Sequence, residues 1–438
     1  MVFSKQRSKF KFTGFLFLTL TVTLLAALVV GCAPAAKETT PATPEAAPLI
    51  IGVVASLNTP MRDAVIAAEL AAEEIMKQDG GVTVDGVKRP LKIVSVDDRD
   101  LEPGVPVQDS ILAYRSLLGQ KPAGIVAPII RTEAQLAIME NIASEKVIQI
   151  ACGGVNSTWR KNFMADPAKY KYQFKISPTE VDMIYTWMQT LATVKAKFGL
   201  NKVYLFGEDV DFARAGVLGA EAVLKKAGFE VPGKDFIPLG TTDYSTAVKK
   251  FKDSGAEIGL YIFSSEGAAL PNQYVAQGCD QFMMGSCSAF FAQKAWEQTQ
   301  GAVNGFTLII NGAGNAPVGS KLPKASAFFN NFTAKAGRDV GSVLGISETY
   351  DGVYLLANAW KALGTTDSDK VVAYLETNGM DGAIGHITFT AADHQCPYGD
   401  DYTKTALQPM IQWQDGKRVT IWPTSIADAE IMYLKQKK

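Results

Sequence analysis

Leu49-Ile50-Ile51-Gly52-Val53-Val54-Ala55 is a near-continuous apolar run of strand length, as expected for a strand covered on both faces of a parallel sheet. An Ala- and Glu-rich stretch over about 61–77 follows and reads as a helix, which Gly80-Gly81 ends. The alternation continues with strands at 91–96, 124–127 and 147–150 and helices near 105–118 and 132–144. Strands alternating with helices of this length imply right-handed βαβ units in a wound α/β sheet. The pattern then restarts. A strand at 203–206 leads to helices near 212–227 and 245–254, a strand at 258–263, a helix near 267–277 and a strand at Phe282. Each series has the size of one domain. From Gly305 onward there remain one strand, helices near 325–336 and 346–363, and short strands at 386–389, 410–413 and 419–422. These are too few for a third domain and are expected to complete the first two.

The 438 residues are 47% apolar and 20% charged, which excludes a disordered or multi-span membrane chain. The first 31 residues carry Lys5, Arg7, Lys9 and Lys11 and no acid, so without them 39 basic residues face 44 acidic ones. A mildly acidic body has no electrostatic footprint for nucleic acid. The basic residues precede an uncharged apolar run, 15–30, too short for a comfortable bilayer span and flanked like a secretory signal. It ends Val29-Val30-Gly31-Cys32, similar to a bacterial lipobox, which implies cleavage after Gly31 and lipidation of Cys32. Ordinary signal cleavage and an uncleaved anchor are the alternatives. Residues 33–48 hold four prolines among Ala, Thr and Glu, the composition of an extended tether.

Cys279 and Cys287 flank a strand. Eight extended residues span roughly 26 Å, against the ~4.4–6.8 Å a disulfide bridges, so the two are expected to be unbonded. No Gly-x-Ser-x-Gly, Gly-Lys-Ser/Thr or His-Glu-x-x-His pattern is present. Only two histidines occur, and His386, His394 and Cys396 make a weak metal set. No cofactor and no metal are expected.

Ile51-Gly52-Val53, the helix end at Gly80-Gly81, Val96-Asp97-Asp98, Ile125-Val126-Ala127-Pro128, Lys202-Val203-Tyr204-Leu205 with Gly219, Asp243-Tyr244-Ser245 and the ending Gln412-Trp413-Gln414-Asp415-Gly416-Lys417 occur in an order that resembles the branched-chain amino-acid binding protein family. The resemblance spans about 49–425. It implies a type I periplasmic binding fold: two Rossmann-like lobes, parallel sheets flanked by helices, joined by a three-crossover hinge. The expected division is a signal peptide over 1–31, a tether over 32–47, one lobe from 48–177 with 311–404, and the other from 178–310 with 405–438.

In wound α/β sheets ligands sit beyond the carboxyl ends of strands, and the resemblance points to the same loops. In the loop 56–62, Asn58, Met61 and Arg62 are candidates, with Met61 near the place where relatives put an aromatic residue. Where the family has a carboxylate-binding Ser or Thr, this chain has Arg131 followed by Thr132. Arg131 either pairs with a ligand carboxylate or is a solvated or inter-lobe ion-pair residue. Gly153, Gly154 and Asn156 form a third loop, in which glycine permits close backbone approach. Asp97-Asp98-Arg99-Asp100 reads as a solvated turn in preference to a metal cluster. In the second lobe the candidates are Phe212 and Phe263 for stacking, with Ser264, Glu266 and Ser286 nearby. The family's acidic acceptor for a ligand ammonium has no counterpart at Gly285-Ser286-Cys287, and Glu266 is the nearest substitute.

The resemblance therefore implies an exported, membrane-anchored solute-binding lipoprotein, facing the periplasm or cell exterior, that delivers a small carboxylate-bearing solute to an ABC permease. A monomer without enzymatic activity is expected. A sensor module acting through a partner is the alternative, and an α/β hydrolase a weaker one.

Overall fold

In the computed structural model the strand Leu49–Ala55 lies inside a five-stranded, fully parallel sheet, between Leu91–Asp97 on one side and Gly124–Ala127 on the other. Ile148–Ala151 and Gln173–Lys175 extend it. The structure describes residues 46–102, 104–263, 267–319 and 321–434; Cys32, the signal and most of the tether, Ser264 and Glu266 lie outside them.

Two glycines show how tightly helices cover this sheet. A Cβ on Gly52 would sit 2.5 Å from Leu117 of the helix Val107–Leu118, and one on Gly124 would sit 2.8 Å from Leu356 of the helix Ile346–Leu363. Close packing at this density leaves no room for a methyl group. The late helix Ile346–Leu363 also lies against the helix Arg62–Asp79.

The second sheet runs Lys417–Trp422, Met410–Gln414, Thr307–Ile309, Phe282–Ser286, Ile258–Ile262, Lys202–Glu208, Glu230–Ile237. It is parallel except for the C-terminal hairpin, which pairs antiparallel with Thr307–Ile309. The late strands thus return to the second lobe. A small sheet of Met380–Gly382, Gly385–Ile387, Ala406–Leu407 and Tyr398–Gly399 stands apart from both.

Three segments carry the chain between the layers around the two large sheets: one after Gln173–Lys175, one after Thr307–Ile309 toward the helix Ile346–Leu363, and one between Ala406–Leu407 of the small sheet and Met410–Gln414. The last two passages are tied together. The Ile310 amide donates to the Pro409 carbonyl at 2.9 Å, and the buried Gln408 amide donates to Asn311 Oδ1 at 2.8 Å. The first is held by a lysine. Lys175 is fully buried, and its Nζ donates to the carbonyls of Ser177 and Pro178, each at 2.7 Å, while Gln395 donates to Ser177 as well. Desolvation lowers the Lys175 pKa to about 7.

Several elements had no counterpart in the sequence reading: the strands Gln173–Lys175 and Glu230–Ile237 and the helices Thr158–Ala165, Glu180–Phe198 and Ser368–Leu375. Glu180–Phe198 opens with a capping box in which Thr179 and Asp182 bond each other's backbone N–H. Cys152, Cys279, Cys287 and Cys396 are not joined in disulfides, so the expectation for Cys279 and Cys287 holds.

One short loop touches both lobes. Arg338 donates to the fully buried Asp63 at the start of Arg62–Asp79, and the Gly341 amide donates to the same carboxylate at 2.8 Å. The next residue, Asp339, pairs with Arg418 of the second sheet's edge strand, whose side chain is 4% exposed.

Candidate functional site

The carboxyl ends of both sheets carry the candidate loops, and the two rims meet. Ile130 and Val155, from the loops after Gly124–Ala127 and Ile148–Ala151, pack against the apolar cluster that holds Tyr261, Phe263, Phe290 and Leu344.

Arg131 is built into the first rim by an acid that the sequence reading left in solvent. Asp100 is 2% exposed; one oxygen accepts from the backbone amides of Ile130 (2.9 Å) and Arg131 (2.8 Å), and the other accepts from Arg131 Nε at 2.8 Å. Arg131 Nη1 lies 3.6 Å from Glu133, and its Nη2 is buried with no hydrogen-bond partner. The segment 97–100 is therefore not a solvated turn. Asp98 is 1% exposed and accepts from the Asp100 amide at 3.1 Å, and Asp97 accepts from the amides of Leu57 and Arg99. Burial and the neighbouring Asp100 push the Asp98 pKa up to about 7. The physical reason is that three strand-end loops converge here, and their amides need acceptors away from water.

The turn after Ile148–Ala151 is equally committed. Gly153 lies so close to the Pro128-Ile129 backbone that a Cβ would meet the Ile129 carbonyl oxygen at 2.4 Å, and Gly154 takes a positive φ of 67°. Gln135 staples this turn: its Nε2 donates to the Gly153 carbonyl and its Oε1 accepts from Asn156 Nδ2. Asn156 Oδ1 accepts from the Trp159 amide at 2.9 Å, so its side chain holds the start of Thr158–Ala165. A buried polar residue on the inner face of the helix Thr132–Asn141 was the signal available for Gln135.

The remaining candidates are dispersed. Asn58 is exposed and donates to Glu102 at 2.8 Å, and Arg62 is exposed on the first turn of its helix. Met61 is 2% exposed among Phe328, Phe332 and Ile346, in a core cluster that Ile130 also touches. Thr132 is half-buried at its helix start. Phe212 is half-buried against the core beneath the second sheet. Phe263 is buried, with ring centroids 6.0 Å from Tyr244 and 6.1 Å from Tyr261, and its amide donates to the Ser286 carbonyl. Ser286 is itself 5% exposed. The sequence reading missed Glu208, a buried acid at the carboxyl end of Lys202–Glu208, close enough to raise the pKa of the buried Cys287 thiol in addition to desolvation.

Among the described residues no group of three or more His, Cys, Asp or Glu side chains is placed to hold a metal. His394 is buried, stacked on Phe174 at 3.9 Å and bonded to Gln173 and Glu376; burial lowers its pKa. Among the same residues no helix is long and apolar enough to cross a membrane.

Two wound lobes, three passages between them and loop rims in contact define a type I periplasmic binding fold. A family model described as periplasmic binding protein matches residues 48–401, and the chain belongs to that family. A search of curated proteins found no match. Among solved structures, a protein of Silicibacter pomeroyi assigned to branched-chain amino-acid ABC transport is similar with a TM-score of 0.74 and 16% identity, over 88% of this chain and 99% of that one. The branched-chain amino-acid transporter substrate-binding protein of Streptococcus pneumoniae, in complex with isoleucine, gives 0.65 and 20%, over 86% and 100%. A solute-binding protein of R. palustris in complex with 4-hydroxybenzoate gives 0.65 and 17%, over 86% and 96%. The chain is thus a periplasmic binding protein by family, and it shares its fold with these solute-binding proteins.

Proposed function

We propose that this protein captures a small carboxylate-bearing solute with an apolar or aromatic body between its lobes and delivers it to an ABC permease without altering it. The proposed lobes are 48–177 with 311–404, and 178–310 with 405–438. Export by residues 1–31 and acylation of Cys32 keep the body beside a membrane, at the end of the tether 32–47. The lobes sample open and closed forms, and ligand that touches both rims shifts the population toward the closed one.

The observation that carries the reading is the buried, unpartnered Nη2 of Arg131 on the first rim. A desolvated guanidinium N–H gains most from an anionic acceptor. Gly153 and Gly154 follow the neighbouring strand of the same sheet, and Phe263 lies at the carboxyl end of a strand in the opposite lobe, where a shift on closure is needed to bring its buried ring to the solute. Isoleucine and 4-hydroxybenzoate, the ligands held by two structurally similar proteins, share a carboxylate and an apolar body, which supports a solute of that kind with or without an α-amino group.

Calorimetric titration with isoleucine, leucine, glutamate, 4-hydroxybenzoate and neutral amides tests this. Organic acids bind, and Arg131→Ala weakens them by about 1.5–3 kcal/mol. Tight leucine binding with no response to organic acids, or unchanged affinity in Arg131→Ala, refutes it.

A further inference from the structure

We propose that Asp100 is a positioning residue for solute capture: it turns the Arg131 guanidinium so that the Nη edge is presented to the solute's carboxylate. The inference rests on the reading of Arg131 as anchor.

A guanidinium has five N–H donors fixed in one plane, so holding one edge dictates where the others point. Asp100 Oδ1 takes the Nε edge at 2.8 Å, and Oδ2 takes the Ile130 and Arg131 amides at the root of the same side chain. Stem and head are therefore held by one carboxylate. That carboxylate has no freedom of its own. Its backbone amide is bonded to Asp98, the next amide, Leu101, donates to Ser56 Oγ at 3.3 Å, and the side chain is 2% exposed. Three loops, from the strands Leu49–Ala55, Leu91–Asp97 and Gly124–Ala127, thus converge on the orientation of one guanidinium. With Nε taken and Nη1 only near the half-exposed Glu133, Nη2 is the donor left without a partner.

Asp100 also makes the empty site tolerable, because a half-buried guanidinium without a counter-charge pays a desolvation cost. Its contribution to the solute is through Arg131 alone. Removing the Asp100 charge therefore erodes the preference for a carboxylate over the matching amide, and does so only while Arg131 is present.

The test is a double-mutant cycle on the full mature chain, with 4-hydroxybenzoate against 4-hydroxybenzamide and isoleucine against isoleucinamide as probes. Asp100→Asn keeps the size and one acceptor oxygen, and thermal unfolding confirms the variant is folded. The expected result is a roughly tenfold fall in the acid-to-amide affinity ratio for Asp100→Asn, a comparable or larger fall for Arg131→Gln, and no further fall when both are combined. A ratio unchanged in Asp100→Asn while Arg131→Gln lowers it overturns the inference and leaves the anchor standing. An equal fall in both backgrounds shows a merely structural role and also overturns it. A ratio unaffected by Arg131→Gln, or a protein that binds neither acid, removes the anchor reading itself.

Discussion

Replacing Lys175 by methionine separates the electrostatic from the packing role of the first passage between the lobes. The ammonium is fully buried and donates to two backbone carbonyls. Asp182, Glu180, Cys396 and Glu348 raise its pKa, but desolvation outweighs them and brings it from 10.5 to about 7. Between those values the unfolded chain holds a proton that the native state lacks, so the wild-type protein gains stability as pH rises across the window. The gain between pH 7.5 and 9.5 is about 2–3 kcal/mol for this one group. Methionine fills a similar volume and does not titrate, but it leaves the Pro178 carbonyl without the donor it has here. That loss, about 1–3 kcal/mol, is the same at every pH. Urea unfolding of both proteins at pH 7.5 and 9.5 isolates the difference, because the other titrating groups cancel. The stability of Lys175→Met relative to wild type should fall by about 2–3 kcal/mol between the two conditions. Parallel pH profiles would falsify the argument, since Lys175 would then keep an ordinary pKa.

Asp98→Asn tests the opposite sign: the wild-type carboxyl, raised from 3.8 to about 7, loses stability as pH rises from 4 to 7, so the variant gains on it by up to about 1.4 kcal/mol per unit over that range in denaturant titrations. Gly52→Ala should cost about 1–3 kcal/mol by overpacking Leu117, yet Gly52→Ala with Leu117→Ala should be more stable than Leu117→Ala alone, because the added methyl refills the cavity; a chemical melt of the three variants decides. Asp339→Asn takes the charge from the partner of a buried guanidinium and should lower the unfolding free energy by about 2–4 kcal/mol, an effect that an unchanged urea midpoint would exclude.

The wound architecture was legible where strands are apolar and helices amphipathic. Leu49–Ala55 and Gly124–Ala127 read correctly to the residue, and the helix Arg62–Asp79 ends at the positive-φ glycine that the sequence offers as a stop. Gln173-Phe174-Lys175 escaped because two of its three residues are polar, and their burial depends on carbonyls and loops from distant segments. Glu230–Ile237 contains Pro232 and Gly233 and alternates with charge, as an exposed edge strand does. The helix Glu180–Phe198 did advertise its start, through Thr179 and Asp182 three residues apart. At the rim, Arg131 stood out as a charge where a hydroxyl was expected. Its orientation was invisible, because it is decided by Asp100, a residue from another strand's loop that looks in sequence like any other acid in a turn. Asn156 and Gln135 show the same limit: side chains that look available for a solute are consumed by their own turn.

The late arrival of Ile346–Leu363 has a consequence for biogenesis. All five strands of the first sheet are made before the second lobe, yet one of their covering helices follows nearly all of it. Until that helix emerges, Leu356 and Trp360 are missing from the face of Gly124–Ala127 on which they pack. A truncation before Ile346 should therefore leave that apolar face open to solvent.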